Sequence, residues 1–372
     1  MNLLFLCDHY YPYIGGAEVV NKKIAEYFSR TSDVTVVTRS FKGSKKKREN
    51  LNSVKICRTA NVPRLMHSVV AYQCAREIAA HADIILSATY ASGLAGHWLA
   101  KKYNKRSILL VHEILDEHWR YFKRAHLLYT LYERYIVTRP FSHFIGFSNY
   151  TKNKLLSYGT PVEKISTIYH GVDSATFYPR PVNRLLRKKI AGDAPFVYLY
   201  FGRPGGSKGL PYLIGAVPEV SRAIPGSKLV LILSRETKAE YRRARRLIDA
   251  VNIDNTIIVI DPVPLETLPE HINIADTVVI PSLSEGFGFS AVESCMLGKN
   301  IVCTDTGSLP EVTYGRLVRV PKADSAALAD GIIKMFRGEC TVVPEKKFTW
   351  EDACKRYERV FQRCLDEPQP RR

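Results

Sequence analysis

Residues 276–305, DTVVIPSLSEGFGFSAVESCMLGKNIVCTD, hold two short apolar runs on either side of a glycine-rich turn and a helical pattern. The runs DTVVIPS (276–282) and NIVCTD (300–305) are apolar at consecutive positions instead of alternating ones. Such runs are typical of parallel strands that are buried on both faces of a sheet. The stretch therefore predicts a strand, a helix that begins near Phe289, and a second strand parallel to the first.

The same alternation of apolar runs and helical patterns continues along the whole chain. In the first half, the predicted strands are LLFLC (3–7), DVTVVT (33–38), ADIILSAT (82–89), RSILLVHE (106–113) and SHFIGFS (142–148). In the second half, the further predicted strands are PFVYLYFG (195–202), SKLVLILS (227–234) and NTIIVID (255–261). The alternation predicts an α/β protein with parallel sheets covered by helices.

At 372 residues the chain is long enough for two domains, each with its own core. We expect an N-terminal domain at residues 1–178 and a second domain at residues 196–346. Between them, residues 179–195 are charged, contain proline and show no strand, which predicts a linker. Residues 347–372 predict a C-terminal helix with Thr349 as its N-cap.

Charge is strongly unbalanced, with 54 Lys and Arg against 36 Asp and Glu, a net charge of +18. Residues 1–180 contain 26 basic and 13 acidic residues, so most of the excess lies in the first half. A hydrophobic share of 46% excludes a disordered chain. The excess predicts an acidic partner such as phosphate, nucleic acid or an anionic membrane surface.

Eight scattered cysteines without a CxxC pair predict buried thiols in a reducing compartment. The N-terminus has no basic region or cleavage site of a signal peptide. The longest uncharged stretch, residues 84–100, is too short to span a bilayer and contains His97. We therefore expect a cytoplasmic location, which leaves peripheral attachment to a membrane open.

Two glycine-rich loops suit phosphate binding. Gly15 and Gly16 follow the first strand and open a helix, where backbone amides can approach an anion. In FGRPGGSKGL (201–210), Arg203 and Lys208 place two cations just past a strand, which suits a diphosphate. The alternatives are an ordinary strand-to-helix turn and a solvated loop. Neither loop matches a Walker or GxGxxG motif.

Two carboxylates, Glu285 and Glu293, lie eight residues apart around the glycine-rich turn of the opening stretch. One can contact sugar hydroxyls while the other takes both hydroxyls of a ribose, and the amides from Gly286 to Ser290 form a second anion site. A hydrolase pair would need carboxylates that face each other across a bond. A helix cap with a surface glutamate is the structural alternative.

Together these motifs resemble the GT-B glycosyltransferases of family 4, retaining enzymes that use nucleotide-sugar donors. YPYIGGAEVV (11–20) resembles the family's opening loop, and HGVDSATFYP (170–179) its N-G-V-D-x-x-x-F segment, with His170 in the place of Asn. FGRPGGSKGL matches its G-R-x(4)-K-G loop, and Glu285 with Glu293 its E-x7-E motif. The resemblance implies two Rossmann-like domains whose parallel sheets face each other across a cleft, with the C-terminal helix crossing back to the first domain.

The resemblance also implies roles for single residues. Arg203 and Lys208 would clamp the diphosphate, Glu285 would contact the donor sugar, and Glu293 the ribose. The catalytic set it implies is His112, Arg203, Lys208 and Glu285, with His112 on the acceptor side or, alternatively, a plain strand-end histidine. The implied donor-binding set is Gly15, Gly16, Arg203, Lys208, Glu285, Gly286, Phe287, Gly288, Phe289 and Glu293.

The nucleotide base stays open between uridine and guanosine. The family often has Gly-x-Gly where this chain has Ser234-Arg235-Glu236, and the region that usually meets the base reads DPVP (261–264). The chain contains no Asp-x-Asp, the motif with which the other large glycosyltransferase fold holds a divalent metal. We therefore expect a metal-independent enzyme without a cofactor, in which Arg203 and Lys208 supply the positive charge.

The basic first half contains a candidate membrane surface. Residues 118–139, HWRYFKRAHLLYTLYERYIVTR, mix aromatic and basic side chains as an interfacial helix on anionic lipid does. KGSKKKR (42–48) adds a basic loop; a core helix with solvated charges is the alternative. The residues predicted to form the membrane or acceptor surface are Trp119, Arg120, Phe122, Lys123 and Arg124.

These expectations combine into a retaining hexosyltransferase. Its donor would be a UDP- or GDP-hexose, and its acceptor a lipid-linked saccharide or glycolipid at the cytoplasmic face of the membrane. A basic nucleic-acid-binding protein and a non-catalytic GT-B protein are the alternatives. No helix-turn-helix, zinc spacing or RNA-binding signature favours the former, so no nucleic-acid partner is expected. The complete set of charged motif residues argues against the latter.

Overall fold

The computed structural model describes all of the chain except residues 14, 42–45, 122–124, 236–237, 252, 254 and 368–372. The chain divides into two compact units. The first unit contains residues 1–117, 125–171 and 348–372, and the second contains residues 118–124 and 172–347.

Within the described residues, the first unit forms an eight-stranded sheet in the order β3-β4-β2-β1-β5-β6-β7-β8. Its strands are β1 (Asn2–Leu6), β2 (Asp33–Arg39), β3 (Arg48–Leu51), β4 (Val54–Thr59), β5 (Ile84–Ala88), β6 (Arg106–Val111), β7 (His143–Gly146) and β8 (Ile165–Thr167). Its first helices are α1 (Gly16–Phe28), α2 (Arg64–His81), α3 (Ala91–Tyr103), α4 (His126–Val137) and α5 (Asn149–Ser157). The strands pair in parallel except for the edge pair β3 and β4.

The described part of the second unit forms a seven-stranded sheet in the order β11-β10-β9-β12-β13-β14-β15. Its strands are β9 (Val197–Gly202), β10 (Lys228–Leu233), β11 (Ile257–Ile260), β12 (Thr277–Ile280), β13 (Asn300–Thr304), β14 (Gly315–Val320) and β15 (Thr341–Val343). Its helices are α6 (Arg184–Ala191), α7 (Leu210–Ala223), α8 (Lys238–Val251), α9 (Leu268–Asn273), α10 (Phe289–Met296), α11 (Leu309–Val312) and α12 (Ser325–Phe336). Among the described strands of this sheet, β15 pairs antiparallel with β14 and the others pair in parallel.

The consecutive apolar residues of the strands are buried because helices cover both faces of each sheet. In the second unit, Leu231 and Val302 pack with Val217 of α7 and Ile332 of α12 in one core. This arrangement confirms the predicted α/β class with parallel sheets. It also brings the carboxyl ends of β9 and β12, which are neighbours in the sheet, to the same edge.

The C-terminal helix α13 (Trp350–Asp366) belongs to the first unit. Thr349 is its N-cap, as predicted, because its hydroxyl accepts the amide of Asp352 at 3.1 Å. The ring of Phe361 stacks on Phe28 of α1 at 4.7 Å between centroids. Gly171 is needed beside the helix, since a Cβ there would lie 2.1 Å from the amide nitrogen of Trp350.

Residues 179–195 differ from the predicted linker, because they contain α6 and lie in the second unit. Arg187 of α6 explains the difference. Its guanidinium pairs with Asp276 at 2.8 Å and donates to the carbonyls of Ile274 and Ala194, which fixes the helix to the sheet. The segment that lacks a strand is therefore a structural part of the second unit.

The single interfacial helix predicted over residues 118–139 is wrong. The structure has a 3-10 turn at Asp116–Tyr121 and the separate helix α4, and Phe122, Lys123 and Arg124 lie outside the described residues. Trp119 is buried with 3% of its surface exposed, so it cannot insert into lipid, whereas Arg120 is exposed. Among the described residues, no helix has the length and apolar character needed to cross a bilayer.

Candidate functional site

The predicted donor site centres on the turn between β12 and α10 in the second unit. Gly288 has a φ of +85°, which lets the chain turn sharply before α10 begins at Phe289. Phe287 is buried and Phe289 is partly buried, and their rings pack edge to face at 4.9 Å between centroids. Their side chains therefore stabilise the turn, and the part left for a ligand is the backbone from Gly286 to Phe289.

Glu285 is buried in this turn and held by two donors. Its Oε1 atom accepts a hydrogen bond from the ammonium of Lys208 at 2.6 Å and another from the hydroxyl of Ser282 at 2.9 Å. Its backbone is fixed as well, because a Cβ on Gly307 would lie 2.3 Å from the Glu285 carbonyl oxygen and Gly307 has a φ of +57°. The carboxylate therefore has one position, and both of these contacts fall on one of its oxygens.

Lys208 contacts Glu285 because a hydrogen bond and close backbone packing hold its loop against the end of β12. The amide of Leu283 donates to the carbonyl of Ser207 at 2.6 Å. Gly209, with a φ of +63°, starts α7 so close to β12 that a Cβ would lie 1.7 Å from the carbonyl oxygen of Pro281. The structure thus brings together two residues that the sequence separates by 77 positions.

Arg203 lies on the same loop, at the carboxyl end of β9, and its side chain is exposed. Its backbone is fixed by the hydroxyl of Tyr200, which donates to the Arg203 carbonyl at 2.7 Å. Lys208 is thus held against a carboxylate, and the side chain of Arg203 is exposed at the same edge of the sheet. This arrangement suits an anionic ligand that arrives from solvent.

Glu293 lies on α10, one turn after Phe289. Burial raises the pKa of this carboxyl from its ordinary value of 4.5 to about 7, because the charged form loses its hydration. Ionisation of Glu293 therefore lowers the stability of the folded protein when no ligand is bound. A ligand that offers hydroxyl donors to the carboxylate would remove part of this cost.

The first unit holds the remaining residues of the predicted catalytic and donor-binding sets. Gly15 has an extended backbone and precedes α1, which begins at Gly16. His112 follows β6, and its ring packs edge to face on Phe147 at 4.7 Å between centroids. Burial lowers the pKa of His112 to about 4, although the nearby Asp8 carboxylate opposes the shift. Within the part of the chain that the structure describes, its buried Nε2 has no hydrogen-bond partner.

Ser282 was missed by the sequence interpretation although it donates directly to Glu285. The available signal was the pair Pro281-Ser282 at the end of a strand, three residues before the glutamate. Thr304 and Thr306 support the same turn, since their hydroxyls donate to the carbonyls of Ser282 and Leu283. These contacts join β13 to the turn and could not be read from spacing.

A metal centre is not evident in the described ranges, where no three His, Cys, Asp or Glu side chains are grouped as metal ligands would be. Metal independence nevertheless stays a prediction.

Two family models match the chain. Glycosyltransferase Family 4 matches residues 14–176, and Glycosyl transferases group 1 matches residues 183–349. The first match covers most of the first unit, and the second covers the loop of Lys208 and the turn of Glu285.

Curated relatives match over part of their length. The D-inositol 3-phosphate glycosyltransferase of Pseudarthrobacter chlorophenolicus is 29% identical over 158 residues, which are 42% of this chain and 38% of that protein. The lipopolysaccharide 1,2-N-acetylglucosaminetransferase of Salmonella typhimurium is 27% identical over 225 residues, 55% of this chain and 58% of that protein. The chain thus spans less than two thirds of the length of these relatives.

Solved structures match the whole chain. Sucrose-phosphate synthase from Thermosynechococcus elongatus has a TM-score of 0.81 at 19% identity, covering 98% of this chain and 99% of that one. Anabaena HepE in complex with UDP and glucose has a TM-score of 0.77 at 18% identity, covering 97% and 99%. At these identities the likeness shows the fold alone. With both family models matched, the chain belongs to the GT-B glycosyltransferases of family 4.

Proposed function

We propose that the protein is a retaining, metal-independent hexosyltransferase. Its donor is a UDP- or GDP-hexose and its acceptor a lipid-linked saccharide or glycolipid at the cytoplasmic face of the membrane. One observation supports the proposal most strongly: the Lys208 ammonium lies 2.6 Å from the buried Glu285 carboxylate where β9 and β12 end. In open parallel sheets this edge is where ligands bind.

The cations suit a diphosphate leaving group. An ammonium has three donors, so Lys208 can keep its bond to Glu285 and still donate to a phosphate oxygen. The exposed Arg203 offers a planar guanidinium that can bind phosphate through two hydrogen bonds. Both charges stabilise the negative charge that develops on the diphosphate as the sugar leaves.

The carboxylates suit the rest of the donor. Glu285, with Oε1 fixed by Lys208 and Ser282, accepts a sugar hydroxyl, and Glu293 accepts the two hydroxyls of the ribose. Hydrogen bonds from the ribose favour the ionised form of Glu293 and lower its pKa. In the first unit, we assign Gly15 and Gly16 to the donor phosphates and His112 to the acceptor side.

The transfer needs no enzyme nucleophile. The bond between the anomeric carbon and the diphosphate oxygen breaks, and the acceptor hydroxyl oxygen bonds to the same face of that carbon. The hydroxyl proton leaves on a phosphate oxygen of the departing nucleoside diphosphate. His112 stays neutral at physiological pH because its pKa is about 4, so its ring can accept a substrate hydroxyl without adding charge.

The comparisons support parts of this proposal. Anabaena HepE was solved in complex with UDP and with UDP-glucose, which makes uridine nucleotides the first donors to test. The Salmonella relative is named for transfer onto lipopolysaccharide, a saccharide linked to lipid.

A transfer assay tests the proposal. The purified chain is incubated with radiolabelled UDP- or GDP-hexoses, bacterial polar lipids and EDTA, and label in the organic phase is counted. We expect transfer in EDTA, its loss in Lys208→Ala, and its retention in Lys334→Ala, which changes an exposed lysine of α12 in the same unit. Retention of configuration is read from the anomeric proton coupling of the product.

Two results would contradict specific parts of the proposal. If no hexose leaves either nucleotide with lipid or soluble saccharide acceptors, the assigned activity is wrong. If EDTA abolishes transfer and Mg²⁺ restores it, the two cations do not replace a metal.

A further inference from the structure

Six large apolar side chains of the first unit face solvent on two helices. We call them the α2–α4 face: Met66, Val69, Leu127, Leu128, Leu131 and Tyr135, each between 47% and 69% exposed. Isolated exposed leucines are common, but several large apolar side chains exposed on two linked helices indicate an interaction surface.

The face follows from the geometry of α4. Leu127, Leu131 and Tyr135 are spaced four residues apart and therefore lie along one side of the helix. The opposite side is the one that packs, since Ile136 and Val137 are buried in a core cluster of the first unit. The helix is thus apolar on its packed side and on its solvent side, which its fold alone does not require.

α2 lies beside α4 and extends the face. The hydroxyls of Ser68 and Tyr132 are 3.0 Å apart, so the N-terminal part of α2 is linked to α4 at this point. Met66 and Val69 flank Ser68 and are both exposed.

The exposed charges on α4 and at its C-terminal end are positive. Its single carboxylate, Glu133, is buried and accepts the amides of Leu115 and Asp116 at 3.0 and 2.7 Å. Arg134 is exposed, and the guanidinium of Arg139 lies 4.2 Å from the ring centroid of Tyr135. On α2, the charges of Arg76 and Glu77 cancel because the two side chains form an ion pair. The face is therefore apolar with a cationic border.

We propose that the α2–α4 face docks on an anionic membrane surface. The three leucines enter the acyl region, and Arg134 and Arg139 contact the lipid phosphates. A second copy of this chain fits less well, because the same face of the other copy offers the arginines no exposed carboxylate on α4. The docking surface differs from the predicted one, which included Trp119, a side chain that is buried. Its purpose rests on the proposed function, since a lipid-linked acceptor is reached from the membrane.

Vesicle flotation of the full chain tests the proposal. Vesicles of phosphatidylcholine alone are compared with vesicles containing 30% phosphatidylglycerol, in low and in high salt. We expect flotation on the anionic vesicles and its weakening by salt. Leu127→Ser with Leu131→Ser should lower binding at least ~10-fold, because two leucines no longer enter the acyl region.

Matched variants separate the face from general charge and hydrophobicity. Leu185→Ser removes an exposed leucine of α6, and Arg243→Glu with Arg246→Glu reverses two exposed arginines of α8. Both controls should float like wild type, whereas Arg134→Glu with Arg139→Glu should not. Wild type that stays unbound at low salt would overturn the proposal, and so would a leucine variant that floats like wild type. A dimer in light scattering that the leucine variant splits into monomers would overturn it as well.

The proposed function is tested separately in the same samples. Each variant is melted with and without nucleotide, which also shows that it is folded. In the docking variants, nucleotide should raise the melting temperature by the same amount as in wild type. Flotation as expected without any nucleotide shift in wild type would refute the donor site and leave the docking surface supported.

Discussion

Glu293→Gln should stabilise the free protein at alkaline pH and remove nucleotide binding. The carboxyl has a pKa of about 7 in the folded chain against an ordinary 4.5, because burial disfavours its charge. A raised pKa of an acid means that folding disfavours ionisation. The wild-type protein therefore loses stability as pH rises from 4.5 to about 7, and the variant, which has no charge there, does not.

The size of the effect follows from this shift. Each pKa unit corresponds to about 1.36 kcal/mol, so the free energy of unfolding gains at most about 3 kcal/mol above pH 7. The buried amide of the glutamine has its own desolvation cost, which reduces the gain to about 1–2 kcal/mol. For a unit of this size, that raises the melting temperature by about 2–8 °C.

Thermal melts of both proteins between pH 4.5 and 8.5 measure this gain. Glu219→Gln, which changes an exposed carboxylate on α7 of the same unit, is the control and should behave like wild type at every pH. We expect Glu293→Gln to melt at or below wild type near pH 4.5, where the wild-type carboxyl is protonated in the folded chain and only the cost of the buried amide counts. By pH 8 the variant should melt above wild type. The nucleotide shift should disappear in Glu293→Gln only.

If Glu293→Gln and wild type melt at the same temperature at pH 8, the ionised Glu293 carboxylate does not destabilise the folded protein, and this reasoning is refuted. A gain of the same size at every pH would mean that the glutamine stabilises for another reason. A nucleotide shift that survives in the variant would remove Glu293 from the ribose site.

Three further predictions concern the chemistry. Lys208→Ala should lower kcat by about 10²–10³-fold, the effect of removing one preorganised donor, and a variant within twofold of wild type would contradict this. Ser282→Ala removes one hydrogen bond to Glu285, about 1 kcal/mol, so kcat should fall by about fivefold and Ser282→Thr should restore it; equal loss in both variants would indicate a packing defect instead. His112 has a pKa of about 4, so no activity loss on acidification from pH 7.5 to 5.5 should be attributable to its protonation; a decline in that range that disappears in His112→Asn would disprove it.

Most of the central strands were predictable because burial on both faces imposes consecutive apolar residues. ADIILSAT gave β5 and DTVVIPS gave β12, both at the centre of their sheets. The strands that were not predicted are β3, β4, β8, β14 and β15. Of these, β3 and β15 are short and largely exposed, so they lack a run of apolar residues. Strand order was not predictable either, since it depends on contacts between residues far apart in sequence.

The site residues that belong to short sequence motifs could be predicted from the sequence. Lys208 and Glu285 were both expected, but their direct contact depends on Gly209 passing against Pro281, which only the fold shows. Trp119 was misjudged because a mixed aromatic and basic pattern fits an interfacial surface and a buried turn equally well. Tertiary packing decided between them.

Nucleotide binding to the purified chain tests the central claim most directly. Wild type and Glu293→Ala are titrated calorimetrically with UDP, GDP, TDP and ADP in EDTA. We expect UDP or GDP to bind wild type and to add about 2.7 kcal/mol to its stability at 100 times Kd, while Glu293→Ala shows neither effect. If neither UDP nor GDP binds wild type, or if the binding is unchanged in Glu293→Ala, the assigned donor site is wrong.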